Sequence, residues 1–177
     1  MHLNRLHIIN YRNISQADIQ LSEGINCFVG SNGAGKTNVL DAIYYMSFCK
    51  SYFSTADSQN IRHNEPFFVI QGDYQRNDTD VQIYGGVKRG SKKQFKCNKK
   101  EYPRLSDHIG LLPLVIVAPF DELLIADGAE DRRKYIDSVI SQCDKVYLDN
   151  IVRYNRLLQQ RNALLKQLQD IDNPDFS

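Results

Sequence analysis

The sequence predicts an α/β domain, an α+β body with a mixed sheet, from which helices project at the C-terminal end. Three observations predict it. Strand-like apolar segments recur through roughly the first two thirds of the chain, and a glycine-rich octapeptide sits between one such segment and a run of helical period. Beyond Pro119 the texture changes to helical stripes thick with Arg, Gln and Asn.

In chain order, Leu6, Ile8 and Tyr11 give partial alternation, Ala17, Ile19 and Leu21 alternate strictly, and Ile25 to Val29 is a short apolar run ending at glycine. These read as strands. From Lys36 to about Phe48, Val39, Leu40, Ile43, Tyr44 and Met46 recur at helical spacing with no internal Gly or Pro, which predicts a helix. Phe67–Tyr74 and Val81–Val87 read as two strands joined by the polar turn Gln75–Asp80, and Lys92 to Arg104 reads as a further hairpin or extended loop. Pro113 to Ala118 is a continuous apolar run bounded by prolines, the pattern of a strand buried on both faces. Tyr135, Ile136, Val139, Ile140 and Cys143 form one helical stripe, and Leu148, Ile151, Leu158, Leu165 and Leu168 mark a second, together predicting a helical hairpin. The expected division is 1–128 for the body and 129–177 for the start of a helical arm.

The 177 residues are 42% hydrophobic and 24% charged, which suits a folded domain rather than a disordered chain. A net charge of +1 argues neither for nor against an acidic partner, so any such argument is local. Cys27, Cys49, Cys97 and Cys143 lie far apart, and His2, His7, His63 and His108 show no ligand spacing, so reduced thiols and no zinc site are expected. No apolar run approaches bilayer length and the N-terminus lacks a signal-peptide core, so the expected location is the cytoplasm.

Gly30-Ser31-Asn32-Gly33-Ala34-Gly35-Lys36-Thr37 fits the G-x-x-x-x-G-K-[ST] phosphate loop at every fixed position, between an expected strand and an expected helix. Glycines let the backbone curl until successive N–H groups face phosphate oxygens, and the helix N-terminus adds partial positive charge. Lys36 is expected to reach the β- and γ-phosphates and the Thr37 hydroxyl to ligate Mg²⁺, with ATP as the nucleotide. The bland reading is a Gly-rich turn capping a helix, with an incidental lysine. Lys88, Arg89, Lys92, Lys93, Lys96, Lys99, Lys100 and Arg104 crowd around one acid, Glu101. Lys92, Lys93, Lys99 and Lys100 are candidate DNA-phosphate contacts, against a solvated hairpin with Asn98-Lys99 at its turn. Arg132 and Arg133 open a helix, where the macrodipole disfavours them, so carboxylate partners such as Asp137 or Glu130, or a contact role, are both open. Tyr44, Tyr45 and Phe48 at helical spacing read as core packing.

The opening LNRLHIINYRNISQADIQLSEGINCFVGSNGAGKTNVLDAIYYMS resembles the N-terminus of the RecF family, related to SMC-type and ABC-type ATPase heads. A second block, Pro119-Phe120-Asp121 through Asp127-Gly128-Ala129-Glu130-Asp131-Arg132-Arg133-Lys134-Tyr135-Ile136-Asp137, is similar to the family's second signature, and Tyr154 to Leu165 resembles the start of its helical arm. Asp127 and Ala129 stand where the family usually has Gly and Pro, and Phe53 where it usually has Arg. The resemblance implies the N-terminal part of an ABC/SMC-type head, with Arg12 near the nucleotide. It also implies a protein of recombinational repair that recognises gapped or junction DNA and assists recombinase loading, with a RecR-like partner and an ATP-dependent homodimer. The acidic strand and signature loop of such heads do not appear in the sequence. The expectation is therefore a monomeric portion without its own turnover, weak ATPase activity belonging to the full-length dimer. Two other classes share the loop: a metabolic P-loop kinase, which needs a complete catalytic set, and the head of another SMC-type protein, which needs a long heptad arm.

Overall fold

β1 (His2–Tyr11) and β2 (Ile14–Gln20) pair as an antiparallel hairpin, with Leu6 opposite Ile19 and Tyr11 opposite Ile14. Leu6 and Ile8 face the core by alternation, and left-handed backbone at Asn10 (φ 54°) breaks that period and lets Tyr11 be buried as well. β3 (Phe67–Arg76) pairs with both β1 and β4 (Thr79–Lys88), so the turn between β3 and β4 is tighter than the span from Gln75 to Asp80. β5 (Gln94–Cys97) and β6 (Lys100–Glu101) complete an antiparallel sheet of order β2-β1-β3-β4-β5-β6, with Asn98 and Lys99 at the last turn. The computed structural model describes residues 1–77, 79–122 and 129–169.

α1 (Lys36–Phe48) lies against this sheet and contacts β1, β3 and β4. Its apolar spacing puts Ala42, Tyr45 and Met46 onto Leu6, Ile8, Phe68, Ile70 and Ile83, all fully buried. Each such side chain contributes about 1.5–3 kcal/mol on burial. Tyr45 anchors the packing: its ring lies 5.3 Å from Phe68, 5.7 Å from Phe95 and 6.1 Å from Tyr11. Tyr44 stacks on Phe48 at 4.5 Å. The helix stops at Cys49, which adopts the left-handed conformation (φ 53°) and returns its N–H to the Tyr45 carbonyl at 2.9 Å. His108 is a core histidine, its Nε2 2.6 Å from the Met46 carbonyl.

Three expectations are corrected. Ile25–Val29 is not a strand: it makes no ladder pairing, and Ile25 and Val29 are 96% and 85% exposed. Pro113–Ala118 likewise takes no place in the sheet ladder, with Val115 and Val117 exposed rather than buried on two faces. The reason is common to both. An apolar run signals a demand for burial, but a strand also needs a partner for its backbone N–H and C=O groups, and neither run is part of the hydrogen-bonded ladder of the six described strands. Third, the expected helical hairpin does not form. α2 (Ala129–Cys143) and α3 (Lys145–Gln169) meet at Asp144 alone. Asp144 closes α2 through its N–H to Ile140 O and opens α3 through its carbonyl, which accepts from Leu148 N. A reversal takes a loop of about two to five residues, so this joint can bend but not fold back.

The chain divides into two compact units, Met1–Ile116 and Val117–Ser177. In the second, Asp144 caps α3 by accepting the N–H groups of Val146 and Tyr147 at 2.8 and 3.0 Å. Asp137 accepts the Tyr147 hydroxyl and Glu130 pairs with Lys134. Asp127 and Gly128 of the second signature lie outside the described residues.

Candidate functional site: the phosphate loop

The loop hangs between the exposed Ile25–Val29 segment and the first turn of α1. Gly30, Gly33 and Gly35 take positive φ (153°, 81° and 100°). Gly35 is constrained twice: its φ favours glycine, and a Cβ there would stand 2.8 Å from Asn13 Oδ1. Lys36 curls back across the loop and donates from Nζ to the carbonyls of Gly30 (2.9 Å) and Ser31 (2.8 Å). An ammonium carries three protons, so one donor is left for a phosphate oxygen. Ser31, Asn32, Gly33, Ala34 and Thr37 lie at the surface, and Thr37 stands in the first turn of α1. Val39 N donates to Gly35 O at 3.0 Å, so the helix begins directly under the loop. Beside it opens a cavity of about 550 Å³ lined by Asn13, Phe28, Gly35, Lys36 and Val39 among others. The curl, the lysine and the helix N-terminus together form an arrangement that suits an anion.

The β1–β2 turn approaches the loop from below. Asn13 donates from Nδ2 to the Gly33 carbonyl at 2.7 Å and accepts from Asn38 Nδ2 at 2.7 Å. Arg12 turns the other way, toward a polar centre inside the domain. Its Nη2 donates to Ser51 Oγ at 2.9 Å, and its Nε lies 2.9 Å from Asp41 Oδ2, close enough for ion pairing although the N–H is not aimed along that line. Asp41 is fully buried on α1 and also accepts the Tyr11 hydroxyl (2.7 Å), Ser51 Oγ (2.9 Å) and the Tyr52 N–H (2.8 Å). Burial, then the Asp41 carboxylate, pushes the Tyr11 hydroxyl well above its usual range. Arg12 also lines a second, open cavity with Arg62, His63 and Arg89.

The candidate DNA lysines separate into two kinds. Lys92, Lys99 and Lys100 are exposed, whereas Lys93 is an internal tie. Its Nζ pairs with Asp57 Oδ2 at 2.9 Å and donates to the Cys49 carbonyl at 2.8 Å, which binds the approach to β5 to the end of α1. Asp57 in turn accepts the Tyr45 hydroxyl at 2.8 Å, and burial followed by that carboxylate raises the Tyr45 hydroxyl's pKa. Sequence reasoning missed Asn13 and Asp41. Asp41 carried a signal, a lone carboxylate between Val39 and Ala42 on the apolar face of a helix; Asn13 carried none without the fold. Among the described residues there is no group of three or more His, Cys, Asp or Glu side chains that could hold a metal, and no helix long and apolar enough to cross a membrane.

Residues 1–173 match the AAA ATPase domain family. The DNA replication and repair protein RecF of Bacteroides fragilis is 58% identical over 177 residues, 99% of this chain and 48% of that protein. RecF of Phocaeicola vulgatus is 58% identical over 173 residues, 97% of this chain and 47% of that protein. The chain thus spans about half the length of the curated relatives it matches. A solved structure of the recombination mediator protein RecF-ATPrS in the RecFOR pathway superposes with a TM-score of 0.88 at 30% identity, covering 98% of this chain and 47% of that one. An SMC ATPase superposes at 0.64 with 19% identity, a likeness of fold alone. The family and the similarity to a RecF-ATP structure support ATP as the nucleotide for this loop. The chain belongs to the AAA ATPase domain family, and its likeness is to the N-terminal portion of RecF.

Proposed function

We propose that this chain binds ATP with Mg²⁺ through Gly30–Thr37, and that it serves a RecF-like protein of DNA replication and repair. One observation carries the reading: Lys36 Nζ is held over the loop by two carbonyls, 2.9 and 2.8 Å away, with a donor to spare. With nucleotide bound, the ammonium would supply a point charge to the β- and γ-phosphates, the loop N–H groups would donate to phosphate oxygens, and Thr37 Oγ1 would be the protein ligand of Mg²⁺. The metal ion neutralises charge on the phosphates when bound. Arg12 has its guanidinium on Asp41 and Ser51, so we give it the role of holding the β1–β2 turn beside the nucleotide rather than that of a phosphate contact.

In the whole protein the proposed work is ATP-gated recognition of gapped or junction DNA by a homodimer, with a RecR-like partner and recombinase loading downstream, in the cytoplasm. Lys92, Lys99 and Lys100 offer exposed charge to DNA phosphates, and Lys93 contributes by fixing their hairpin. Phosphoryl transfer also needs a group that positions water and charge beyond the γ-phosphate. This chain by itself is therefore expected to be monomeric with ATP and to hydrolyse it no faster than background. Isothermal calorimetry tests the reading. Lys36→Ala is expected to weaken ATP far more than adenosine, and Lys36→Arg to fail as well, because a planar fork does not fit between the Gly30 and Ser31 carbonyls. Equal ATP affinity in wild type and Lys36→Ala would overturn it. Steady turnover lost in Lys36→Ala would instead mark a complete metabolic NTPase site.

A further inference from the structure

We propose that Asn13 is a positioning residue that sets the phosphate loop in its phosphate-accepting curl before any nucleotide arrives. This role rests on the phosphate-loop reading and adds a part to it that lies outside the loop, on the turn between β1 and β2.

One peptide plane carries the effect. A trans peptide points its C=O and the following N–H in opposite directions. Asn13 Nδ2 draws the Gly33 carbonyl outward, toward the β1–β2 turn, at 2.7 Å. The N–H of Ala34, on the same plane, is thereby turned to the concave side. It points there at Ser31 O (3.3 Å), the same carbonyl that receives Lys36 Nζ (2.8 Å). The outward pull on one carbonyl thus aims an inward donor at the spot where the lysine charge sits. Glycines at 30, 33 and 35 impose little conformation of their own, so an external hold is needed to keep this peptide from flipping.

Asn13 is itself held. Asn38 Nδ2 donates to its Oδ1 at 2.7 Å, which fixes the orientation of the carboxamide and leaves its nitrogen facing Gly33. The turn that carries it is pinned by Arg12 N to Asn60 O at 2.8 Å. The carboxamide also rests against the Gly35 α-carbon, where a Cβ would stand 2.8 Å from Oδ1. Gly33, Gly35 and Asn38 are therefore addressed by one exposed side chain, from the end of the loop to the first turn of α1. Because Asn13 is exposed, its loss removes little buried surface, and its effect falls on loop geometry rather than on the core.

Three variants of the chain, Asn13→Ala, Asn13→Asp and Asn38→Ala, test this, with Lys36→Ala as the reference for the loop itself. The first measurement needs no nucleotide: amide chemical shifts and hydrogen exchange across residues 31–36. Asn13→Ala is expected to speed exchange at Ala34 and shift the Gly33–Lys36 resonances while leaving the melting temperature near wild type. Calorimetry with ATP and adenosine follows. Asn13→Ala is expected to weaken ATP by about tenfold and adenosine hardly at all, because the lost pre-organisation concerns phosphate donors. Asn13→Asp is expected to be worse than Asn13→Ala, since it keeps the bond to Asn38 but sets a carboxylate against the Gly33 carbonyl and the incoming phosphates. Asn38→Ala is expected to fall between wild type and Asn13→Ala. Unchanged loop amides in Asn13→Ala would overturn the proposal whether or not nucleotide binds. If Lys36→Ala loses ATP while Asn13→Ala binds like wild type, the loop reading stands and the role of Asn13 is refuted. If Lys36→Ala binds ATP normally, the underlying reading itself has failed.

Discussion

Replacing Asp41 by Asn is the perturbation that tests most directly how the head of α1 is fixed. The carboxylate has no exposed surface and receives the Tyr11 hydroxyl, the Ser51 hydroxyl and the Tyr52 N–H while lying beside the Arg12 guanidinium. An amide keeps one acceptor oxygen. If that oxygen stays at the Oδ1 position, where the Tyr52 N–H is an obligate donor at 2.8 Å, the new NH₂ must take the Oδ2 position and face Arg12. Arg12 then remains largely buried without a counter-charge. Removing one partner of a buried pair costs about 3–5 kcal/mol, more than the net ~1.5–3 kcal/mol of a single hydrogen bond to a charged group. For a chain of this size that corresponds to about 6–20 °C in melting temperature. Urea denaturation followed by circular dichroism measures it. Ser51→Ala is expected to lose less, about 1–3 kcal/mol, because Arg12 and Asp41 still meet. A double variant Arg12→Met, Asp41→Leu is expected to recover part of the loss, since no unmatched charge is left inside. Stability of Asp41→Asn within about 0.5 kcal/mol of wild type would show that the centre is solvated and the reasoning wrong.

Other expectations concern the loop, the hairpin and pH. Gly35→Ala should cost about 1–3 kcal/mol of backbone strain at φ 100° and abolish triphosphate binding; Asn13→Ala should relieve the contact at 2.8 Å but not the strain, and full recovery in the double variant would refute the backbone part. In anisotropy titrations against duplex DNA, Lys92→Gln with Lys99→Gln and Lys100→Gln should flatten the logarithmic salt slope by about 2–3, near 0.9 for each phosphate no longer neutralised, and an unchanged slope would return the hairpin to solvent. Lys93→Gln should act on stability as well, through the Asp57 pair and the Cys49 carbonyl. Burial pushes the Cys49 thiol and the Tyr44 hydroxyl up to about 12, from ordinary values of 9.0 and 10.0. The folded chain then holds protons that the unfolded chain releases, so stability is fully present below about pH 9 and falls as pH rises toward 12. A urea midpoint that stays level across that window would contradict the packing of these groups.

Which parts of this were legible depended on whether a residue's role is local. The phosphate loop and α1 were legible because spacing alone fixes them: eight consecutive residues for the cradle, and an apolar period from Val39 to Met46 for the helix. β3 and β4 were legible as two strands about a polar turn, while Lys92 to Arg104 left a hairpin and an extended loop both open and forms the hairpin. Ile25–Val29 was misread because apolar character reports what a segment needs, not whether a neighbour is there to supply it. The joint at Asp144 was misread because two stripes separated by a polar gap look alike whether the chain bends or reverses. Asn13 and Asp41 work across 20 residues of sequence to Gly33 and 10 to Ser51, distances at which no pattern in one chain speaks.

The scatter of the four cysteines has a practical consequence. Thiolates, not thiols, attack maleimides, so Cys49, 3% exposed and pushed up to about 12, is chemically silent in the folded chain. Cys27 is exposed and lines the cavity beside the phosphate loop together with Phe28 and Lys36. With Cys143 and the half-exposed Cys97 replaced by Ser, Cys27 is left as a reporter position at the lip of the cavity beside the loop. A dye attached there would sense the filling of the cleft as a change in emission, and the rate of its attachment would footprint whatever occupies the loop.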